Sequence, residues 1–313
     1  MATEPVRIGV VGVGYLGRHH ARILAALDGA RLVGVVDTIP ERAAEAAAAT
    51  GARASTDYRE LLDEVDAVTI AVPTELHREI SLPFLARGIA VLVEKPMARS
   101  LEEADDLVSA AGASGATLAV GHTERYNPAV EAVLPLVTSP RFIEVHRLGV
   151  FPERSLDIDV VFDLMIHDLD IILALVRSDV VSIEAVGVPV LTPKYDIANA
   201  RLRFASGCIA NVTASRISRD RVRKIRFFQP DAYLSIDYAA QEVEAWRLVR
   251  RDGARPGIEG GQLPVERDEP LRRELADFVA ATREKRSPLV DGVAGRRALE
   301  LATRIAEKME SVC

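Results

Sequence analysis

The sequence predicts an α/β fold in which a doubly wound parallel sheet is followed by a second domain of α+β type. From residue 6 to about 121, short runs rich in Val, Ile, Leu and Ala (VRIGVV, RLVGVVD, AVTIAV, IAVLVE, TLAVG) alternate with helix-like segments. Continuous apolar strands separated by helices are the pattern of a parallel sheet covered on both faces. Beyond GHTERYNP the rhythm changes, and strands such as SIEAVGVPV, IANARLRFAS, CIANVTASR, KIRFFQ and YLSIDY follow one another with little helix between them. Sequential strands of this kind favour an antiparallel sheet. The division falls into residues 1–122 and 123–313.

The elements carry their own start signals. Pro40 stands in the first turn of the second helix, Thr74 precedes ELHREI, and Ser100 with Glu103 forms an S-x-x-E capping box before LEEADDL. The Ala-rich ERAAEAAAAT at 41–50 reads as an exposed helix. The second domain opens with a helix near 127–137, a strand in RFIEVHRLGV and an apolar helix over 159–177. Two helical segments, EPLRRELADFVAATREK and VAGRRALELATRIAEKM, close the chain on either side of Pro288.

At 313 residues and 49% hydrophobic content the chain can build two cores. The 39 Lys and Arg against 46 Asp and Glu give a net charge of −7, which argues against nucleic acid or an anionic membrane as the main partner. Cys208 and Cys313 provide neither a disulfide framework nor a CxxC metal site, so no metal is expected. No signal-peptide pattern precedes the first strand and no apolar run is long enough to span a bilayer, which points to the cytoplasm.

Gly12, Gly14 and Gly17 form G-x-G-x-x-G between the first strand and the first helix. Glycines there permit a tight turn, close approach of a pyrophosphate and packing of helix on strand, while the helix N-terminus attracts negative charge. Asp37 ends the next strand 20 residues after Gly17, where a carboxylate can accept hydrogen bonds from a ribose diol. A carboxylate there repels a 2′-phosphate and no Arg follows immediately, so NAD is expected rather than NADP.

A second constellation lies in DLMIHDLDIIL, residues 163–173, an apolar helical run that carries charges. At about 100° per residue, Asp163, His167 and Asp170 fall within roughly 60° of one another. Unpaired charge among apolar neighbours is costly, so this stripe needs partners or a ligand. Asp170 can orient its neighbours and Asp168 lies off the stripe; neither is placed among the site residues. LVEKPMA puts Glu94, Lys95 and Pro96 at the carboxyl end of the fifth strand, the ligand-binding edge of an open α/β sheet.

Taken in order, the glycine motif, AVPTELH at 71–77, EKP at 94–96 and the D-x-x-x-H of Asp163 and His167 resemble the glucose-fructose oxidoreductase, inositol dehydrogenase and rhizopine-catabolism family over nearly the whole chain. The resemblance implies an NAD-binding Rossmann domain and an α+β domain with a large, mainly antiparallel open sheet that mediates homo-oligomerisation as a dimer or tetramer. It adds Tyr15, Leu16, Val72, Pro73, Thr74, His77, Glu94 and Lys95 to the cofactor contacts. It makes Lys95, Asp163 and His167 the catalytic set. Alcohol oxidation by NAD needs a base for the hydroxyl proton; a histidine, with an ordinary pKa near about 6.5, suits that role, and a lysine ammonium can stabilise alkoxide charge. Spacing does not say which of the two takes the proton.

GHTERYNPAV, PRFIEVHRL and DVVFDLMIHDLDIIL resemble the nucleotide-sugar branch of that family, in particular UDP-N-acetylglucosamine 3-dehydrogenases. This implies a 3-keto product destined for an aminotransferase and for a 2,3-diamino sugar of lipid A, the lipopolysaccharide anchor, or another surface glycan. Arg125, Arg147 and Arg154 lie where a guanidinium could clamp the substrate pyrophosphate, or else form salt bridges. Tyr126 and Asn127 are candidate sugar or uracil contacts, or pack and cap the next helix. Competing readings are a dehydrogenase of a free cyclitol or monosaccharide, a redox-neutral enzyme with tightly held NAD, and an NAD-dependent sensor.

Overall fold

The computed structural model describes residues 4–151, 158–250 and 255–310. It divides into two units: the chain up to Thr123 together with Glu269–Leu299, and Glu124–Asp268 together with the chain from Glu300.

The first unit alternates strand and helix throughout: β1 (Val6–Val11), α1 (Gly17–Ala26), β2 (Ala30–Val36), α2 (Pro40–Thr50), β3 (Arg53–Ser55), β4 (Ala67–Ile70), α3 (His77–Leu85), β5 (Ala90–Glu94), α4 (Leu101–Ser114) and β6 (Leu118–Gly121). All six strands are parallel, in the order β3-β2-β1-β4-β5-β6. The order reverses between β1 and β4, and the crevice at the carboxyl ends beside that switch is where such sheets bind ligands. The start signals are used as expected: Pro40 sits in the first turn of α2, and the Ser100 hydroxyl accepts the Glu103 N–H at 3.2 Å. The Glu103 carboxylate closes the cap on the Arg99 N–H, one residue earlier than the simplest capping box.

The second unit holds α5 (Pro128–Val133), β7 (Phe142–Leu148), α6 (Ile166–Leu175), β8 (Val180–Val188), β9 (Ile197–Phe204), β10 (Ile209–Ser215), β11 (Val222–Phe228), β12 (Ala232–Asp237), β13 (Glu242–Val249) and β14 (Gly257–Leu263). These make one eight-stranded sheet, β14-β13-β12-β11-β7-β10-β9-β8, antiparallel except where β7 meets β10. Burial alternates along β9, with Ala198, Ala200, Leu202 and Phe204 inward, so the sheet has one covered and one open face. β13 and β14 were not among the strands read from sequence; their charges and the Gly-rich GIEGGQL mask the period of two.

The last two helices are α7 (Pro270–Glu284) and α8 (Gly292–Glu310). The sequence division assigns all of 123–313 to the second domain, whereas the structure returns Glu269–Leu299 to the first unit. The cause is apolar: Leu275, Phe278 and Val279 of α7 are buried in one core with Ile8, Val10, Leu24 and Leu92. Among the described residues no helix is long and apolar enough to cross a membrane, and no cluster of His, Cys, Asp or Glu could hold a metal ion. Cys208 is buried, and burial pushes its thiol up to about 11, which makes it an inert packing residue.

Candidate active site

The three glycines of the β1–α1 turn are required for different reasons. Gly12 has φ +83°, and a Cβ there would stand 2.6 Å from the Ala71 carbonyl oxygen. A Cβ on Gly17 would lie 1.7 Å from the Gly12 carbonyl, so only glycine lets α1 start against the turn. Around Gly14, by contrast, a Cβ would meet nothing within 4 Å. The protein leaves open the place where the backbone of such a turn approaches a pyrophosphate. Tyr15 and Leu16 follow at the mouth, 54% and 42% exposed, with the Arg18 guanidinium over the Tyr15 ring.

Asp37 ends β2 with its carboxylate turned onto the turn. One oxygen accepts the Val13 N–H and the other the Ile39 N–H, both at 3.0 Å. Each oxygen keeps a second lone pair for a ribose hydroxyl. The cradle and this acceptor fit a dinucleotide that ends in an unphosphorylated ribose.

Val72, Pro73 and Thr74 follow β4, Thr74 opening a short 3₁₀ turn before α3. Val72 reaches the glycine turn, since a Cβ on Gly12 would stand 2.8 Å from its methyl group. Two residues expected to touch the cofactor prove to be internal. His77 is 1% exposed and its ring nitrogens face the carbonyls of Pro96 and Val72 at 3.1 and 3.0 Å, tying the turn after β4 to the turn after β5. Burial pushes the His77 imidazole down, against the pull of the Val72 carbonyl and Glu94. Glu94 is 7% exposed, with one carboxylate oxygen on His20 Nε2 at 3.0 Å and the other accepting the Lys95 backbone N–H at 3.2 Å. Lys95 itself is half-buried at the carboxyl edge of the sheet.

In the second unit the helix expected over 159–177 begins as a π-helical turn, Val161–Met165, and continues as α6. Wide turns of this kind occur frequently at functional sites. Asp163 on that turn and His167 on α6 are half-buried. The other two acids of the segment are structural. Asp168, fully buried, is forked by Arg147 through Nε at 2.6 Å and Nη2 at 3.0 Å, and Arg147 also reaches Glu124 at 3.1 Å. Asp170 pairs with Arg125 at 3.6 Å.

These contacts match the salt-bridge and capping alternatives left open for several residues. Arg147 and Arg125 are 4% and 8% exposed and are held by acids of their own unit, so neither is a free clamp for a substrate phosphate. Asn127 accepts the Ala129 N–H as the cap of α5 and donates to the Tyr238 carbonyl at 3.0 Å, which makes it a packing residue. Tyr126 is 7% exposed, and Arg154 lies outside the described residues. His20 was missed altogether. Its only trace in the sequence is a polar residue three positions after Gly17, on the face of α1 that carries Ala21 and Leu24 into the core.

A parallel sheet with a glycine cradle and an acidic acceptor at the end of β2 is the architecture of a dinucleotide-binding domain. The pattern of the oxidoreductase family with an NAD-binding Rossmann fold matches residues 6–122, and that of the GFO/IDH/MocA C-terminal domain matches residues 149–230. The chain belongs to this GFO/IDH/MocA family, and its cofactor is NAD. It is 40% identical over 310 residues to UDP-N-acetylglucosamine 3-dehydrogenase of Acidithiobacillus ferrooxidans, covering 98% of each chain. The solved structure of that enzyme superposes with a TM-score of 0.92 over 99% of both chains. An inositol 2-dehydrogenase of Rhizobium meliloti is 29% identical over 67% of this chain and 69% of its own. A levoglucosan dehydrogenase in complex with NADH and levoglucosan, 20% identical, shares the fold over 98% of both chains with a TM-score of 0.87.

Proposed function

We propose that the protein oxidises the 3-hydroxyl of the N-acetylglucosamine unit of UDP-N-acetylglucosamine to the 3-ketone. The observation that carries this reading is the end-to-end match to the Acidithiobacillus enzyme; the match to the inositol dehydrogenase covers only 67% of the chain. When bound, the nicotinamide supplies the hydride acceptor. Gly12, Gly14 and Gly17 would receive the pyrophosphate, Asp37 would take the adenosine ribose hydroxyls, and Tyr15, Leu16, Val72, Pro73 and Thr74 would border the dinucleotide. Lys95 donates to the oxygen of the reacting hydroxyl and stabilises its developing charge. Asp163 and His167 complete the catalytic set, and the hydroxyl proton leaves to Lys95 or His167. The products are the ketone, NADH and one proton.

The test follows reduced-nicotinamide absorbance with NAD and a panel of UDP-N-acetylglucosamine, UDP-glucose, free N-acetylglucosamine and inositol. A glutamate-dependent aminotransferase is added to draw off the ketone, since alcohol oxidation by NAD is uphill. A signal confined to the UDP-sugars, greatest for UDP-N-acetylglucosamine, is expected; equal turnover of the free sugar removes the nucleotide-sugar reading, and turnover of inositol alone moves the enzyme to the cyclitol branch.

Asp37→Ala should weaken NAD binding about tenfold or more, because it deletes charge-assisted hydrogen bonds worth about 1.5–3 kcal/mol. Titration by calorimetry checks this, with NADP in parallel: the variant narrows the preference, because the carboxylate that repels a 2′-phosphate is gone. An unchanged NAD affinity overturns the assignment.

The 3-keto product suits transamination to a 2,3-diamino sugar, so an aminotransferase is the proposed functional partner and the cytoplasm the proposed location. The open face of the large sheet carries Phe228, Trp246, Leu248 and Ile258, the last 74% exposed, which supports a homo-oligomer. Light scattering that returns the 34.0 kDa mass of one chain would reject the oligomer.

A further inference from the structure

His20 occupies a position on α1 that otherwise carries core residues. The buried face of this helix is Gly17, His20, Ala21, Ile23 and Leu24, and the His20 side chain has no exposed surface. A polar ring in such a place costs free energy unless it is hydrogen-bonded, and here it has one partner. Nε2 lies 3.0 Å from Glu94 Oε1, while among the described residues nothing faces Nδ1. Glu94 is an acceptor in this contact, so the ring donates from Nε2.

The carboxylate is held on all sides. Its second oxygen accepts the backbone N–H of Lys95 at 3.2 Å. Behind it stands Gly121, where a Cβ would come within 2.9 Å of Oε2, so the absence of a side chain on β6 is what leaves room for Glu94. Burial pushes the Glu94 carboxyl up, but the His20 hydrogen bond, its charge and that of Lys95 hold it below the usual carboxylate range. His77, the next ionisable ring, is committed to the Val72 and Pro96 carbonyls. Glu94 thus links the helix that opens the cofactor turn to the main chain of Lys95.

We propose that His20 is a positioning residue for Lys95: from the buried face of α1 it fixes the Glu94 carboxylate, whose other oxygen holds the Lys95 amide. This rests on the reading of Lys95 as the residue that contacts the reacting hydroxyl. A misplacement of about 1 Å at a reacting group can cost on the order of a hundredfold in rate, and the loss would fall on kcat rather than on cofactor binding.

Three variants separate positioning from packing. His20→Leu keeps volume and removes the donor, His20→Gln carries an amide N–H at about the reach of Nε2, and His20→Asn holds it nearer the backbone. Each is measured beside Lys95→Ala for kcat and KM with UDP-N-acetylglucosamine, for NAD affinity by calorimetry, for Tm, and for the rate at which an amine-reactive ester acylates Lys95, read by peptide mass spectrometry. The Leu and Asn variants should lose about 10–100-fold in kcat with NAD affinity retained, and their Lys95 acylation rate should depart from wild type while that of the other lysines does not. The Gln variant should recover most of the turnover. Wild-type kcat and acylation in the Leu and Asn variants overturn the proposal, as does equal loss in all three tracking a fall in Tm. If His20→Leu does not fold, the contrast between Gln and Asn decides alone. Full turnover in Lys95→Ala strikes the catalytic reading instead, and the acylation rate then still reports whether His20 places Lys95.

Discussion

Replacing Lys95 with alanine should lower kcat by about 10²–10⁴-fold while NAD still binds. The expectation follows from where the lysine sits. Its backbone leaves β5 at the carboxyl edge of the sheet, its amide is held by Glu94, and its neighbour Pro96 is tied through His77 to the turn after β4. These anchors act on the main chain, so truncation deletes the ammonium and leaves the turn its hydrogen bonds, though Glu94 loses one of the charges that hold it ionised. The glycine cradle and Asp37, which carry the pyrophosphate and ribose in the proposed reading, are likewise untouched. The measurement is a pair of titrations, NAD affinity by calorimetry and turnover by nicotinamide absorbance. Lost turnover with retained affinity assigns the side chain to the reaction; near-normal turnover sinks the mechanism, and a parallel loss of NAD affinity makes Lys95 a cofactor residue. Lys95→Arg adds a control, since a planar guanidinium keeps the charge but not the compact donor.

The parts of this protein legible in its sequence are those written in local periodicity and spacing. The parallel sheet announced itself in the largely apolar β1, β4 and β5, and the cofactor turn in the fixed offsets of Gly12, Gly14, Gly17 and Asp37. What sequence could not show are pairings across long separations. Asp168 and Arg147 are 21 residues apart, and His20 and Glu94 are 74 apart. Each residue alone resembles a candidate for chemistry, because a polar group in an apolar run has the same appearance whether it awaits a ligand or a buried partner. The stripe of Asp163, His167 and Asp170 shows this well. The structure gives Asp170 to Arg125 and leaves Asp163 and His167 half-buried, Asp163 on a π turn whose wider winding no hydrophobic pattern predicted and His167 on α6 just after it. His77, a motif position read as a cofactor contact, is buried with its ring nitrogens facing the Pro96 and Val72 carbonyls, a pairing that spacing alone does not reveal.

The buried charges of the second unit should produce the largest stability effects, and unequal ones. Arg147 is one guanidinium between two carboxylates, forked onto Asp168 and reaching Glu124, with the Tyr238 ring 5.2 Å from its centre. Burial alone would push the guanidinium down, but Asp168 and Glu124 hold it charged. Burial likewise pushes the Asp168 carboxyl up, and the short two-point contact with Arg147 is what keeps a carboxylate tenable there. Breaking a buried pair from one side costs about 3–5 kcal/mol, because the remaining charge is left without its partner. Arg147→Met takes the guanidinium from the fully buried Asp168, while Glu124 keeps Asn127 at 3.3 Å and Arg223 at 3.9 Å; Asp168→Leu leaves Arg147 with Glu124 still at 3.1 Å. The arginine variant should therefore lose more than the aspartate variant, and the double variant R147M/D168L should lose less than the two single losses added together. Calorimetric unfolding reads all three, with NAD affinity as the control for the first unit. Single losses below about 1 kcal/mol, or strict additivity in the double variant, would show that the pair is solvated in the native protein and that the charges of α6 were never buried at all.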